Sequence, residues 1–158
     1  GISEIKGFSQ LLACARHAHQ NNLPLRFQVF GYTSNDGAFA DLPNVQLLGT
    51  YAEADLPRLL RRHRPHISFF PNKWPETFSY TLSVAMKAGL WPVVSDIGAP
   101  AERVRNSGFG TVYDRSATAV EICTALMNAA QSQVRLDSTA NEALPAELPS
   151  YFELSVEV

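Results

Sequence analysis

Along this chain the spacing of apolar residues switches repeatedly between a helical and a strand-like period. Phe8, Leu11, Leu12, Ala15 and Ala18 recur at helical spacing, so residues 7–20 predict an amphipathic helix ending near Asn21-Asn22. Leu25-Arg-Phe-Gln-Val-Phe30 then alternates as a strand and stops at Gly31; after a polar loop with Asn35-Asp-Gly37, Val45 to Gly49 predicts a second short strand. Glu53 to Arg64 has helical spacing, and Pro65 ends it because proline cannot continue a helix. His66-Ile-Ser-Phe-Phe70 and Pro92-Val-Val-Ser95 are short apolar runs of the kind found in parallel strands covered on both faces, with a helix over about 77–88 between them. Pro100 suits the first position of a helix over 100–106 and Gly108 its exit. Gly110 to Tyr113 predicts one more strand, and Ala117 to Ala130 a closing helix.

Strands and helices in strict alternation, joined by short connections, predict a doubly wound parallel sheet in three α/β/α layers with right-handed crossovers. Ligands bind such sheets at the carboxyl ends of the strands, near the point where strand order reverses. Four loops follow strands here, at Gly31-Tyr-Thr33, Gly49-Thr-Tyr51, Pro71 to Thr81 and Asp96 to Pro100, and together they predict one crevice. The chain opens on Gly1-Ile-Ser-Glu-Ile-Lys-Gly7 with no strand before the first helix, where such a sheet normally has its central strand. Tyr151-Phe-Glu-Leu-Ser-Val-Glu-Val158 alternates like a half-buried strand, and we expect it to pair with an exposed sheet edge, in its own chain or in a partner to make a dimer.

With 158 residues, 46% of them hydrophobic, the chain can bury a core without disulfide or metal staples. We expect one domain over 1–135 and a tail over 136–158, because no Lys or Arg follows Arg135 whereas Asp137, Glu142, Glu147, Glu153 and Glu157 do. A net charge of -2 argues against a nucleic-acid partner. The Arg58, Arg61, Arg62, His63, Arg64 cluster reads as a solvated helix end. Cys14 and Cys123 sit far apart in apolar segments, so neither a disulfide framework nor a metal cluster is expected and a reduced, cytoplasmic setting fits. No apolar run approaches the roughly 18 to 20 residues of a membrane span.

Chemistry concentrates between Trp74 and Asp96. Glu76 precedes a predicted helix whose start carries Thr77, Phe78, Ser79, Tyr80 and Thr81, so free backbone N–H groups and hydroxyls converge where an anion can sit. At Pro75-Glu-Thr-Phe-Ser-Tyr-Thr-Leu-Ser83 and Ala88-Gly-Leu-Trp-Pro-Val-Val-Ser-Asp-Ile-Gly-Ala-Pro-Ala-Glu102, with Lys6-Gly7, Gly31 and Gly49 in matching order, the chain resembles the group 1 retaining glycosyltransferases, built from two facing Rossmann-like domains. The resemblance covers about residues 1–130 and corresponds to the C-terminal, donor-binding domain. It implies transfer of a hexose from a nucleotide-diphosphate sugar, with no metal and no cofactor beyond that donor, and an acceptor brought by a missing N-terminal domain. By the same resemblance Glu76 orients the donor sugar through its hydroxyls and Lys6 neutralises the donor diphosphate. Amides near Phe78, Ser79 and Tyr80 hold the phosphates, Gly31 allows close backbone approach, the adjoining Tyr32 belongs to the donor-binding residues, and Thr50-Tyr51 lies near the base.

Two positions depart from the family pattern. The second glutamate of the motif falls at Val84, and an arginine common five residues before the lysine falls at Gly1. Helical spacing places Val84 with Tyr80 and Lys87, opposite the packed face of Leu82, Ala85, Met86 and Gly89, so Val84 is hard to explain as core. Beside the site reading, Lys6 can be an exposed helix-entry lysine, while Asp96 and Glu102 can simply favour helix starts. His17, His19, His63 and His66 lack acid or nucleophile partners at a telling spacing, and Trp74 and Trp91 either shield the crevice or pack. Two other readings stand beside glycosyl transfer: a degenerate structural or interaction module, and a nucleotide-sugar epimerase of the same architecture.

Overall fold

In the computed structural model, which describes residues 1–140 and 151–157, six strands form one parallel sheet in the order β2-β1-β6-β3-β4-β5. The elements run α1 (Phe8–Gln20), β1 (Leu25–Phe30), β2 (Val45–Leu47), α2 (Leu56–His63), β3 (Ile67–Phe70), α3 (Tyr80–Lys87), β4 (Trp91–Ser95), α4 (Gly98–Ser107), β5 (Thr111–Tyr113), α5 (Ala119–Ala140) and β6 (Phe152–Glu157). Helices cover both faces, so the expected doubly wound three-layer architecture is the observed one. Beneath α1 and α5 lies one core containing Leu11, Cys14, Phe27, Val29, Phe69, Ile122, Leu126, Phe152 and Leu154. Beneath α2, α3 and α4 lies a second, containing Phe30, Leu56, Leu60, Phe70, Leu82, Val94 and Val104.

The terminal strand is not at an edge. β6 lies in the middle of the sheet, parallel to β1 from Leu25↔Phe152 to Phe30↔Glu157 and parallel to β3 from Ile67↔Leu154 to Phe69↔Val156. It therefore occupies the central position that no strand before α1 fills, and both of its hydrogen-bonding sides are used within the chain. The physical reason is backbone satisfaction. Without β6, β1 and β3 would face each other across a gap with rows of N–H and C=O groups buried under helices, each group costing about 1–3 kcal/mol unpaired. Phe152, Leu154 and Val156 are at most 2% exposed, so the strand also fills the first core. Its start is pinned by Phe152 N–H donating to the Pro24 carbonyl at 2.7 Å and Glu153 N–H donating to His66 Nδ1 at 2.9 Å. Arg26 adds a contact 3.9 Å above the Tyr151 ring.

Several boundaries differ from the pattern in the sequence. α3 starts at Tyr80 rather than near Thr77, because extended Ser79 caps it and its Oγ accepts from the Leu82 N–H. α4 starts at Gly98, ahead of Pro100, and α5 runs on to Ala140. Cys14 and Cys123 are 109 residues apart yet meet where α1 packs on α5, with the Cys123 thiol donating to the Cys14 carbonyl at 3.5 Å. Both stay free thiols. The Cys123 contact and then burial push the Cys14 thiol well above its usual range.

Fully burying one apolar side chain such as those of β6 contributes about 1.5–3 kcal/mol, and the whole stability of a domain is only about 5–15 kcal/mol. We predict that removing residues 151–158 abolishes the cooperative heat-absorption peak in scanning calorimetry. A truncated chain that keeps a sharp transition within a few degrees of the parent would contradict the central placement of β6.

Candidate functional site

All six strands point the same way, so the loops after β1, β2, β3 and β4 emerge along one rim. From β1 the chain turns to β2 on one side of β6, and from β3 to β4 on the other, which makes the carboxyl end of β6 the point where strand order reverses. The opening segment lies across this rim. Ile2 bridges Thr33, its N–H donating to the Tyr32 carbonyl at 2.8 Å and its carbonyl accepting from Ser34 N–H at 2.9 Å. Further along, the Ile5 carbonyl accepts from the N–H groups of Lys73 and Trp74 at 2.9 and 3.1 Å. The Lys73 ammonium also pairs with Glu4.

That path brings Lys6 to Glu76. Lys6 Nζ lies 3.3 Å from Glu76 Oε1, and both side chains remain partly open to solvent, at 39% and 22% exposure. At such exposure the ion pair itself contributes no more than about 1 kcal/mol, so its meaning is positional. The glutamate is held from behind by α4, whose Ala99 N–H donates to the Glu76 carbonyl at 2.9 Å. Two glycines permit these approaches. A Cβ on Gly98 would lie 2.8 Å from the Glu76 nitrogen, and one on Gly7 would lie 1.8 Å from the Pro71 carbonyl oxygen. Both have left-handed backbones, with φ of 65° and 89°.

Gly31, Tyr32, Thr50 and Tyr51 come together around a pocket of about 250 Å³, completed by Gly1 and Glu53. Tyr32 is exposed and Tyr51 half-buried, a lining suited to a flat ring with polar edges. At the start of α3, Ser79 is buried as the cap and Thr81 Oγ1 lies 3.4 Å from Ser79 Oγ. The Tyr80 and Thr81 amides fall in the first turn, where N–H groups have no intrahelical acceptor. Thr77 is exposed ahead of the helix. Phe78 and Tyr80 turn instead toward a groove of about 1090 Å³ between α2 and α3, which Val84, Arg61, Arg64 and Lys87 also line.

Val84 corrects the expectation drawn from helical spacing: it is only 7% exposed and belongs to the second core. α2 packs beside α3 and covers a face that the spacing alone leaves open. Trp91 packs, its indole N–H donating to Thr111 Oγ1 at 2.9 Å, whereas Trp74 stands 65% exposed on the rim. Asp96 is occupied by Arg105 at 2.7 Å, which holds its carboxyl below the usual carboxylate range. Arg103 carries no signal in the sequence, because its partners lie 20 and 24 residues earlier on another element. It donates from Nη2 to Ser83 Oγ at 2.7 Å and from Nη1 to the Ser79 carbonyl at 2.9 Å. Among the described residues no group of three or more His, Cys, Asp or Glu is placed to hold a metal ion.

The family model of the group 1 glycosyl transferases matches residues 2–143. The chain belongs to the group 1 glycosyltransferases. The match takes in Lys6, Glu76 and every rim loop described above, and stops short of β6. Glycosyl transfer is thus the chemistry of the family in which this site stands. No curated protein matches the chain. Among the described residues of this glycosyltransferase domain, no helix is long and apolar enough to cross a membrane.

The clamp behind Glu76 makes a testable prediction. Gly98→Ala combines a left-handed residue, costing about 1–2 kcal/mol, with a backbone clash, and should lower the thermal midpoint by roughly 5–10 °C. Gly89 has φ of 78° with nothing within 4 Å of where an alanine methyl would stand, so Gly89→Ala should incur only the conformational part. Equal shifts for the two variants in differential scanning fluorimetry would contradict the close approach at Glu76.

Proposed function

We propose that this chain is the donor-binding domain of a retaining glycosyltransferase that moves a hexose from a nucleotide-diphosphate sugar to an acceptor held by a facing domain. The observation that carries the proposal is the meeting of Lys6 and Glu76 at 3.3 Å beside the capped start of α3, on the rim that also holds the ring-sized pocket. A donor laid along that rim places its base at Tyr32, Thr50 and Tyr51 and its diphosphate toward Lys6 and the Tyr80 and Thr81 amides. Its sugar hydroxyls meet the Glu76 carboxylate, which has several lone pairs to accept them.

Breaking the bond between the anomeric carbon and the diphosphate leaves negative charge on the departing oxygen. The Lys6 ammonium and the α3 amides are fixed in place before that charge develops, which is the arrangement that lowers such a barrier. On donor binding the ammonium can pass from Glu76 to phosphate, freeing the carboxylate for the sugar. Without the facing domain no acceptor is positioned, so the isolated chain is expected to bind nucleotide without turnover.

Val84 favours a second reading. Where relatives are expected to place a carboxylate for the nucleotide ribose, this chain has a buried hydrocarbon. That fits a domain retained as a structural or interaction module.

Calorimetric titration with uridine, guanosine and adenosine diphosphates and their sugars separates the two. A hydrogen bond to a charged group is worth about 1.5–3 kcal/mol, so Lys6→Met should weaken diphosphate binding roughly ten- to a hundredfold. Glu76→Gln should weaken the sugar nucleotide more than the bare diphosphate. Absence of binding at millimolar ligand, with both variants indistinguishable from the parent, would favour the module.

A further inference from the structure

We infer that Arg103 is a positioning residue for the donor site, and this rests on the donor-binding reading above. Its guanidinium is half-buried on α4 and bridges to the start of α3 with both ends of its fork. One nitrogen donates to the carbonyl of the cap residue Ser79 at 2.9 Å and the other to the hydroxyl of Ser83 at 2.7 Å. Its carbon centre also lies 5.0 Å from the centroid of the Phe78 ring.

Phe78 is 63% exposed and precedes the helix in irregular backbone. The cation above its ring supplies an anchor. The cap residue is therefore tied from two sides. Its Oγ accepts from Leu82 N–H at 3.3 Å, and its carbonyl accepts from Arg103 and from Ser83 Oγ at 2.9 and 3.2 Å. α3 has only eight residues, so its first turn has little cooperative support of its own. Fixing residues 78, 79 and 83 to α4 sets the direction of the Tyr80 and Thr81 amides. The same α4 holds the Glu76 backbone through Ala99, so one helix aligns the sugar-facing carboxylate and the phosphate-facing amides.

The role belongs to the planar fork rather than to charge. Lysine keeps the charge but gathers its donors on a single nitrogen and lacks the rigid fork that serves Ser79 and Ser83 from two, so Arg103→Lys separates positioning from electrostatics. The test uses the full chain and reads two quantities: hydrogen exchange of the Leu82 and Ser83 amides without ligand, and the dissociation constant for uridine and guanosine diphosphates. Arg103→Lys should speed exchange at both amides and weaken diphosphate binding, each by about tenfold, the loss of one charged hydrogen bond. Ser83→Ala should do the same more weakly, with little further loss in the double variant.

Unchanged exchange overturns the inference. So does unchanged affinity in Arg103→Lys while Lys6→Met weakens binding, an outcome that leaves the donor-binding reading standing. If exchange responds but the parent binds neither diphosphate, the donor-binding reading fails and Arg103 is a structural clamp alone.

Discussion

The structure depends on the parallel pairing of β6 with β1 on one side and β3 on the other. Remove those ladders and the sheet separates into β2-β1 and β3-β4-β5, each with a raw inner edge. The same division runs through the site. Gly31, Tyr32, Thr50 and Tyr51 belong to the first half, while Glu76, the start of α3 and α4 belong to the second. The distance between the ring-sized pocket and the Lys6–Glu76 pair is thus set by one strand at the far end of the chain. The opening segment adds a second tie, bonded to Tyr32 and Ser34 at one end and to Lys73 and Trp74 at the other.

Within the second half, position is achieved by backbone contact more than by charge. Gly7 and Gly98 let the Pro71 and Glu76 backbones approach closely enough to be hydrogen-bonded or packed without a side chain between them. Lys6 and Glu76 remain partly open to solvent, which the proposed passage of the ammonium from carboxylate to donor phosphate requires. A deeply buried pair would resist that exchange, because separating charges in a dry interior costs several kcal/mol. Arg103 ties the helix start to α4 in the same way, and Val84 packs with Leu56 and Leu60 of α2 in the second core.

Much of this is legible in the sequence because the signals are local. Two periods of hydrophobicity mark the elements, and the strict alternation of strand and helix implies parallel pairing. The motif around Glu76, in order with Lys6-Gly7, locates the rim. What is not legible is set by partners distant in sequence. Periodicity shows that residues 151–158 form a strand but not which neighbours it takes, since the gap between β1 and β3 exists only once the other strands are assembled. Val84 escapes the pattern because helical spacing describes one helix and knows nothing of α2 beside it. The start of α3 falls three residues later than the spacing implies because Ser79 is held extended as a cap, with its carbonyl taken by Arg103 from α4. Cys14 and Cys123 look remote for the same reason and meet only through α1 and α5.

β6 joins two half-sites into one crevice, which we propose takes a nucleotide diphosphate. Amide chemical-shift mapping during titration of the full chain with uridine or guanosine diphosphate tests it most directly. The amides of Thr50 and Tyr51 on one half, and of Lys6, Tyr80 and Thr81 on the other, should shift together along curves with a single dissociation constant. Shifts confined to one half, or distributed elsewhere with these amides unmoved, would contradict it.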